Sequence, residues 1–236
     1  MYNNLEQLEE DASKCQKCKL CTTRKNVVFG TGNKNADLMF IGEGPGADED
    51  TQGIPFVGKA GKLMNMAFEA IGLKREDVYI ANVVKCRPPA NRNPQDDEAN
   101  ACLDYLRNQV ILVKPKIIVL LGSVALKNIL GKEYGITASR GKWIQKRGIL
   151  YMPTWHPAAL LRDETKKIDF IKDLQEVLEK YKTYELEGQK DWLIKWKNIK
   201  WNKKWRIAYE RNKWNGRILL ELSCKTMFKK RMSSWK

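Results

Sequence analysis

The spacing of cysteines is the most distinctive chemical feature of the sequence. Cys15 and Cys18 form a C-x2-C pair, Cys21 extends it to C-x2-C-x2-C, and Cys86 and Cys102 follow with fifteen residues between them. Four thiolates can hold a [4Fe–4S] cluster or a tetrahedral zinc ion, and spacing alone does not choose between these. Buried cysteines acting as small apolar residues are the alternative. The spacing favours a metal for Cys15 and Cys18, leaves Cys86 and Cys102 open, and predicts that Cys21 is a bystander able to substitute as a ligand.

A glycine-rich loop is the second feature that could carry chemistry. The string from Gly42 to Ala47 fits the G-x-G-x-x-G/A fingerprint of dinucleotide-binding proteins. That fingerprint needs a helix to open within it, and Gly53 and Pro55 argue against a helix there. The acidic run at 48–50 would also repel a pyrophosphate. We therefore expect no nucleotide cofactor, and interpret the loop as backbone that approaches a flat ligand closely. The acidic run is either a solvated turn or the source of a carboxylate that could position a water.

The elements that must position these residues follow from apolar patterning. Continuous apolar runs predict four strands, at 37–41, 78–84, 117–121 and 149–154. Helices are predicted at 3–14, 62–71, 123–130 and 165–184, and from an N-cap at Asn93, with Pro94 first in the helix, to about Val110. Strands that alternate with helices predict a mainly parallel, four-stranded sheet covered on both faces.

Three unusual strings each follow a predicted strand. They are GEGPGADED, KCRPPANRN and WHPAALLR. In an open parallel sheet the ligand site lies beyond the carboxyl ends of the strands. We therefore expect these three segments, which are distant in sequence, to meet at one edge of the sheet.

Charge and composition divide the chain near residue 187. The net charge is +15, but residues 187–236 hold fifteen Lys and Arg against four Asp and Glu, so residues 1–186 carry only +4. The 187–236 tail also holds six of the eight tryptophans and Cys224, which we expect to have no role. Lys and Trp together could bind single-stranded nucleic acid or a membrane surface, but we favour an extension unrelated to the core activity, or a sequence of non-native origin.

The sequence also bears on location. No run of eighteen apolar residues occurs, which argues against a transmembrane span, and the polar, acidic N-terminus is unlike a secretory signal. We expect a cytoplasmic protein with no membrane partner. Its cysteines should then be reduced and are better interpreted as ligands than as disulfides.

The motifs together resemble a known family. GEGPGADED…GIPFVGKAG, NVVKCRPPANRNP, WHPAALLR and the spaced cysteines are similar to the family 4 uracil-DNA glycosylases, the iron–sulfur branch of their superfamily, over about residues 5–185. The resemblance implies a three-layer α/β/α sandwich, a [4Fe–4S] cluster and flipping of a base out of DNA. It also implies that the cluster ligands are Cys15, Cys18, Cys86 and Cys102.

The resemblance assigns base recognition to two side chains. Asn82 stands where the family recognises the uracil edge, since an amide can accept from N3–H and donate to O4. Cytosine presents the reverse pattern and would leave the amide unpaired. Phe56 stands where an aromatic ring stacks on the flipped base, and Gly44 where other branches carry Asp or Asn. Ordinary structural roles are the alternatives for Phe56 and Asn82.

The resemblance also suggests the catalytic groups. His156, the only histidine, stands where the family donates a hydrogen bond to the negative charge that develops on the departing uracil; capping a turn is its structural alternative. Glu49 and Asn91 match positions that orient the attacking water, and Glu43 is a second carboxylate candidate. The water-activating residue is the least specific of these assignments.

DNA contacts are predicted on two loops. Arg87 and Arg92 are expected to meet phosphates, with plain solvated charge as the alternative. In the PAALLR segment, Leu160 is expected to fill the vacated base stack and Arg162 to hold a phosphate. The predicted partner is uracil-containing DNA, bound by a monomer.

The predicted reaction is hydrolytic and monofunctional. No histidine follows the second strand, where the covalent variant of the superfamily has one, and no lysine is nominated for Schiff-base chemistry. The competing hypothesis is a non-catalytic iron–sulfur module that binds nucleic acid in association with replication.

Overall fold

The computed structural model describes the backbone of residues 2–197 and the side chains of residues 2–184. A compact unit ends at Tyr184. The predictions for the 187–236 tail, including its tryptophans and Cys224, concern side chains outside the described residues and stay predictions.

A six-stranded, mostly parallel sheet lies at the centre of this unit. Its strands are β1 (Thr31–Gly32), β2 (Leu38–Gly42), β3 (Tyr79–Asn82), β4 (Ile117–Leu121), β5 (Ile144–Lys146) and β6 (Ile149–Thr154). Their order is β1-β3-β2-β4-β6-β5, and β1 and β5 pair antiparallel at the two edges. The parallel strands β3, β2, β4 and β6 are the four that apolar runs predict. The expected count of four is wrong because β1 and β5, two and three residues long, are too short to form apolar runs.

Helices cover both faces, which confirms the three-layer α/β/α arrangement. They are α1 (Leu5–Ser13), α2 (Ala47–Gln52), α3 (Lys59–Ile71), α4 (Asp96–Val113), α5 (Gly122–Ile129), α6 (Ile136–Ser139), α7 (Pro157–Leu160) and α8 (Lys166–Lys197). Met39 and Ile41 of β2 pack in the core with α1, α4 and α5, whereas Leu38 and Phe40 pack with α3 and α8. Side chains alternate along a strand, so one buried strand supplies both cores.

Two helix starts differ from the predictions. Helix α4 begins at Asp96 with Gln95 as its N-cap, not at Asn93, because the Glu98 carboxylate accepts the Gln95 backbone N–H at 2.8 Å. Helix α3 begins three residues before the predicted start and ends, as predicted, at Gly72, which adopts a left-handed conformation with φ 74°.

Helix α2 contradicts the expectation that no helix opens within the glycine motif. It begins directly after Gly46, and the Glu49 side chain caps its first turn by accepting the Gly46 N–H at 3.1 Å. Gly53 ends the helix rather than preventing it, with φ 73°. The carboxylate of Glu49 therefore takes a donor that a pyrophosphate would need at this helix start.

The sheet topology places one crevice for ligands. The chain passes from β2 to β3 on one side and then crosses to β4 on the other, so the strand order reverses between β2 and β4. Ligands bind beside the carboxyl ends of the strands at such a point. In the described part of the chain, no helix is both long and apolar enough to cross a membrane.

Candidate active site and cysteine pocket

A cleft of about 600 Å³ opens at the carboxyl ends of the parallel strands. The loops after β2, β3, β4 and β6 all contribute to its lining, as the position of the unusual strings predicts. The cleft brings together nine of the predicted residues: Glu43, Gly44, Glu49, Phe56, Asn82, Asn91, Arg92, His156 and Arg162. Arg87 and Leu160 do not line it.

Asn82 forms part of the cleft wall and is an unsatisfied polar group. It ends β3, its side chain is 1% exposed, and its Oδ1 has no hydrogen-bond partner in the part of the chain that the structure describes. A methyl group at Gly42 would lie 2.5 Å from both Asn82 Oδ1 and Phe56 Cζ. Gly42 therefore allows the amide and the aromatic ring to approach each other, and a buried acceptor without a partner costs free energy unless a ligand supplies a donor.

Phe56 lies beside this amide in a strained backbone conformation. Its φ is 53°, which is rare for a bulky residue, and its side chain is buried. Gly61 of α3 makes this possible, since a Cβ there would overlap the Phe56 carbonyl group. Strain of this kind persists where the surrounding structure fixes a side chain for function.

His156 directly precedes α7 and faces Phe56, with ring centroids 5.7 Å apart. Its Nδ1 accepts the Ala158 backbone N–H at 3.1 Å, which leaves the proton of the neutral ring on Nε2. Burial, and then the positive charge of Arg162, lower the pKa of His156 to about 4. The ring is therefore a neutral donor near pH 7, and it also caps the turn before α7.

Glu49 is held by backbone donors. Its Oε1 accepts the N–H groups of Val57 and Gly58 at 3.0 and 2.8 Å, and its Oε2 accepts the N–H of Gly46 at 3.1 Å. The carboxylate thus joins the glycine loop to the segment that carries Phe56. Oε2 has a single partner and keeps a lone pair that a water could use.

Glu43 is another carboxylate of the cleft, which Asp48 also lines. Burial raises the pKa of Glu43, and the positive charge of Arg162 partly opposes that rise. Gly44 lies next to it, where an added Cβ would come within 2.7 Å of a Val84 methyl group. An Asp or Asn at position 44 would therefore need Val84 to move.

The proline-rich loop places its polar side chains differently. Asn91 is exposed at the rim, and its Oδ1 accepts from Arg87 Nε at 2.8 Å. Arg92 makes a two-point ion pair with the buried carboxylate of Glu98 at 2.8 and 2.6 Å. Much of the hydrogen-bonding capacity of Arg92 is therefore used to hold this loop on α4.

The prediction that Leu160 enters DNA is wrong. Leu160 is fully buried against the α3 and α8 face of the sheet, so it cannot reach a duplex without unfolding α7. Its neighbour Leu161 is 48% exposed, and Arg162 is exposed beside it. Contact of this segment with DNA stays a prediction, and the spacing of the motif does not indicate which of the two adjacent leucines faces outward.

Three residues at the cleft were not singled out from the sequence. Gly42 was identified only as part of the glycine motif. Gly122 follows β4 with φ 86°, and a Cβ there would lie 2.8 Å from the His156 Cβ. Trp155 Nε1 and Asn82 Oδ1 are the two side-chain N or O atoms of the described residues that are buried without a hydrogen-bond partner. A glycine at the carboxyl end of a predicted strand was the available signal for Gly122.

A separate pocket brings together the cysteines, which are free thiols. It is lined by the four predicted ligands and also by Cys21. The sulfur of Cys102 accepts the Lys85 backbone N–H at 3.2 Å, and that of Cys86 accepts from Arg24 Nη1 at 3.4 Å. Burial raises the pKa of the Cys86 thiol to about 11 and also raises the pKa of Cys102. Within the described residues, no group of three or more His, Cys, Asp and Glu side chains is arranged to hold a single metal ion.

Comparison with known proteins identifies the family. The model of the uracil DNA glycosylase superfamily matches residues 29–181. A type-4 uracil-DNA glycosylase of Sulfurisphaera tokodaii is 44% identical over 85% of this chain and 94% of its own length. A second one, of Saccharolobus solfataricus, is 49% identical over 67% of this chain and 78% of its own. The chain belongs to the type-4 uracil-DNA glycosylase family.

Two observations connect this family membership to the geometry. The match to the superfamily model spans the four loops of the cleft but begins after the N-terminal cysteines. A DNA polymerase of Bacillus phage SP01 is also 35% identical over 147 residues, which cover 62% of this chain and 16% of the polymerase. The glycosylase unit of this chain thus has a counterpart within a larger protein.

Proposed function

We propose that this type-4 family member removes uracil from DNA by hydrolysis of the N-glycosidic bond and leaves an abasic site. The observation that carries the proposal is the buried Oδ1 of Asn82, which has no hydrogen-bond partner among the described residues and lies in a cleft that Phe56 and His156 also line. A flipped uracil would supply the missing donor from N3–H, and the Asn82 amide would donate to O4. Phe56 would stack on the base.

This arrangement explains rejection of cytosine. Cytosine has an acceptor at N3 and a donor at N4, so Asn82 Oδ1 would face an acceptor and its amide nitrogen would face a donor. A buried pair of mismatched polar groups costs several kcal/mol in total, at about 1–3 kcal/mol for each group. Gly42 leaves room for both recognition groups, because any side chain there would displace Asn82 or Phe56.

Catalysis follows from neutral His156. As the bond between C1′ and N1 breaks, its electron pair moves to the uracil ring, and negative charge develops largely at O2. The neutral ring of His156 donates its Nε2–H to O2 and stabilises this charge. It does not transfer this proton, because its loss would leave an imidazolate anion in a buried site. A water oxygen forms the new bond to C1′, and its proton passes to a carboxylate or to solvent.

The attacking water has two candidate carboxylates. Glu49 Oε2, which has one backbone partner, orients it together with Asn91 at the rim. Glu43 is the alternative because burial raises its pKa and so makes it a better proton acceptor than an exposed glutamate. The cleft also holds Lys59, so a lyase step through an amine must be tested.

We propose that the cysteine pocket holds a [4Fe–4S] cluster through Cys15, Cys18, Cys86 and Cys102. The residues fit this group: five free thiols line one pocket with three cationic side chains and no carboxylate, and two sulfurs accept N–H hydrogen bonds. When bound, the cluster would join the N-terminal segment to the loop after β3 and to α4. Cys21 lines the same pocket and could replace one ligand.

The direct test is uracil release from a labelled oligonucleotide, single- and double-stranded, by the wild-type, His156→Ala and Asn82→Ala proteins. Strand scission only after alkali, and much reduced in both variants, supports a monofunctional glycosylase. Scission without alkali, together with borohydride trapping that Lys59→Ala abolishes, would replace it with a lyase mechanism. A folded, brown protein that binds DNA and releases no uracil would favour the non-catalytic binding module.

Iron and zinc analysis separates a cluster from a zinc site. The cytoplasmic location and the monomeric state stay predictions.

A further inference from the structure

Lys85 is a fully buried lysine that neither the predicted catalysis nor the predicted ligand set uses. Its side chain is 2% exposed, and its Nζ donates to the Asn82 carbonyl at 2.8 Å and to Gln109 Oε1 at 2.5 Å. Both acceptors are uncharged, and no ion pair of Lys85 occurs among the described residues. A buried ammonium is costly unless an opposite charge lies near it.

The candidate for this opposite charge is an occupant of the cysteine pocket. Lys85 lines that pocket, and its backbone N–H donates to Cys102 Sγ at 3.2 Å. The pocket also presents Lys17 and Arg24 but no Asp or Glu. Three cations around five thiols form a cavity suited to an anionic occupant, and four thiolates around a [4Fe–4S] cluster give it a net negative charge.

Lys85 also restrains the residue that recognises the base. Its ammonium donates to the Asn82 carbonyl. The two residues between them also bind backbone at the end of β2: Val83 N–H donates to the Gly42 carbonyl at 2.9 Å, and Val84 N–H donates to the Glu43 carbonyl at 3.1 Å. Gln109 completes the support from α4, since its Nε2 donates to the carbonyl of Phe29. Lys85, which lines the cysteine pocket, therefore holds the main chain of Asn82, whose side-chain amide faces the cleft.

We propose that Lys85 is a positioning residue that joins the two sites: its charge is balanced by the cluster, and its ammonium holds the Asn82 main chain in the conformation that recognises uracil. The inference rests on the proposed function and on the proposed cluster. Through Lys85 the cluster would affect the position of Asn82, although the cysteine pocket lies outside the cleft. Arg24 differs from Lys85: it donates to Cys86 Sγ and to the Cys15 and Ser13 carbonyls, all of which lie on the side of the cysteine pocket.

The test compares Lys85→Met, Lys85→Arg and wild-type holoprotein by redox titration of the cluster and by steady-state uracil release. Removing a positive charge beside the cluster favours its oxidised form, so Lys85→Met should lower the reduction potential and Lys85→Arg should restore it towards the wild-type value. Loss of one hydrogen bond from a charged donor should lower kcat/KM for uracil about ten- to a hundredfold in Lys85→Met. Lys116→Met, which removes an exposed lysine paired with Asp37, is the matched control and should change neither.

A second variant keeps the proposal testable if Lys85→Met does not fold. Gln109→Glu leaves Lys85 in place and replaces the amide that its ammonium contacts with a carboxylate. The added negative charge should also lower the reduction potential of the cluster. A lower unfolding temperature with unchanged potential in both variants would show a merely structural lysine and overturn the proposal, as would a wild-type protein without an iron–sulfur cluster. If the wild-type protein holds a cluster but releases no uracil, the proposed function fails, and the potentials still decide whether Lys85 balances the cluster charge.

Discussion

The rings of Phe56 and His156 lie 5.7 Å apart in the cleft with 35° between their planes, although the two residues are one hundred positions apart in sequence. Each ring is placed by a glycine that leaves room for it: Gly42 beside Phe56, and Gly122 beside His156. The space for a flat base is thus defined by residues at the ends of three neighbouring parallel strands, β2, β4 and β6.

Replacing His156 with alanine should lower uracil release about 10²- to 10³-fold, the usual effect of removing one donor to a developing oxyanion. The measurement is single-turnover release from a duplex substrate. Because the wild-type ring is already neutral well above its pKa of about 4, protonation of His156 should not limit activity near pH 7. An activity that rises as the pH falls from 6.5 towards 4 would indicate that the protonated ring is the active form and would contradict the neutral-donor assignment.

The same pKa shift predicts a pH dependence of stability. In the folded protein the pKa of His156 is lowered from 6.5 to about 4, so between these values the unfolded chain binds a proton that the folded chain excludes. The free energy of unfolding should therefore fall as pH drops from 6.5 to about 4 and lose this dependence below that range. In His156→Gln this contribution should disappear, which chemical denaturation at several pH values can measure.

Asn82→Ala should separate activity from stability. Uracil release should fall at least about tenfold, since one recognition hydrogen bond is worth about 1.4 kcal/mol or more in a dry pocket. The unfolding temperature should stay the same or rise, because the ligand-free protein no longer buries an unpartnered Oδ1. A marked loss of thermal stability would show that Asn82 has a structural partner and would weaken its assignment to the base.

Gly42→Ala tests whether the cleft needs a bare backbone between its amide and its aromatic ring. The added methyl group would lie 2.5 Å from Asn82 Oδ1 and from Phe56 Cζ, so one of them must move and uracil release should fall steeply. The matched control is Gly135→Ala, where the added carbon would meet no described residue within 4 Å other than its chain neighbours. Equal activities for the two variants would contradict the proposed position of the base.

Some of this site was predictable from the sequence. Continuous apolar runs identify strands buried on both faces, and parallel strands bring their carboxyl ends together, so the convergence of the three motifs follows from patterning alone. The two edge strands were not predictable, because Thr31–Gly32 and Ile144–Lys146 offer two and three residues and gain their structure from pairing with a neighbour.

Other features depend on contacts that patterning does not contain. Helix α2 is stabilised by its own residue Glu49, whose side chain accepts the Gly46 N–H at the helix start. This contact could not be predicted, because Glu49 lies in an acidic run that is followed by two helix breakers. Leu160 and Leu161 are chemically identical, and only the direction of a four-residue helix decides which of them is buried. The sequence does not distinguish Lys85 from the other basic residues, because its burial and its contacts with Asn82 and Gln109 depend on the fold.

Glu49→Gln should lower activity and stability together. The wild-type carboxylate accepts three backbone N–H groups, and an amide would turn a donor towards at least one of them, at a cost of about 1–3 kcal/mol. Glu43→Gln should lower activity without this loss, because burial already penalises the charged form of Glu43. Thermal unfolding beside uracil release distinguishes the two. An unchanged unfolding temperature for Glu49→Gln would mean that the carboxylate does not hold the loop.

The two adjacent leucines give opposite predictions. Leu160→Ala should destabilise the protein by about 2–5 kcal/mol, because it empties a fully buried position between α7 and the sheet. Leu161→Ala should leave the free energy of unfolding nearly unchanged, since its side chain is 48% exposed. If Leu161 fills the gap that a flipped base leaves in a duplex, its loss should lower release from double-stranded DNA more than from single-stranded DNA, which has no stack to fill. Equal effects on the two substrates would assign Leu161 to the surface of the protein rather than to the duplex, and would leave Arg162 as the one predicted DNA contact of this segment.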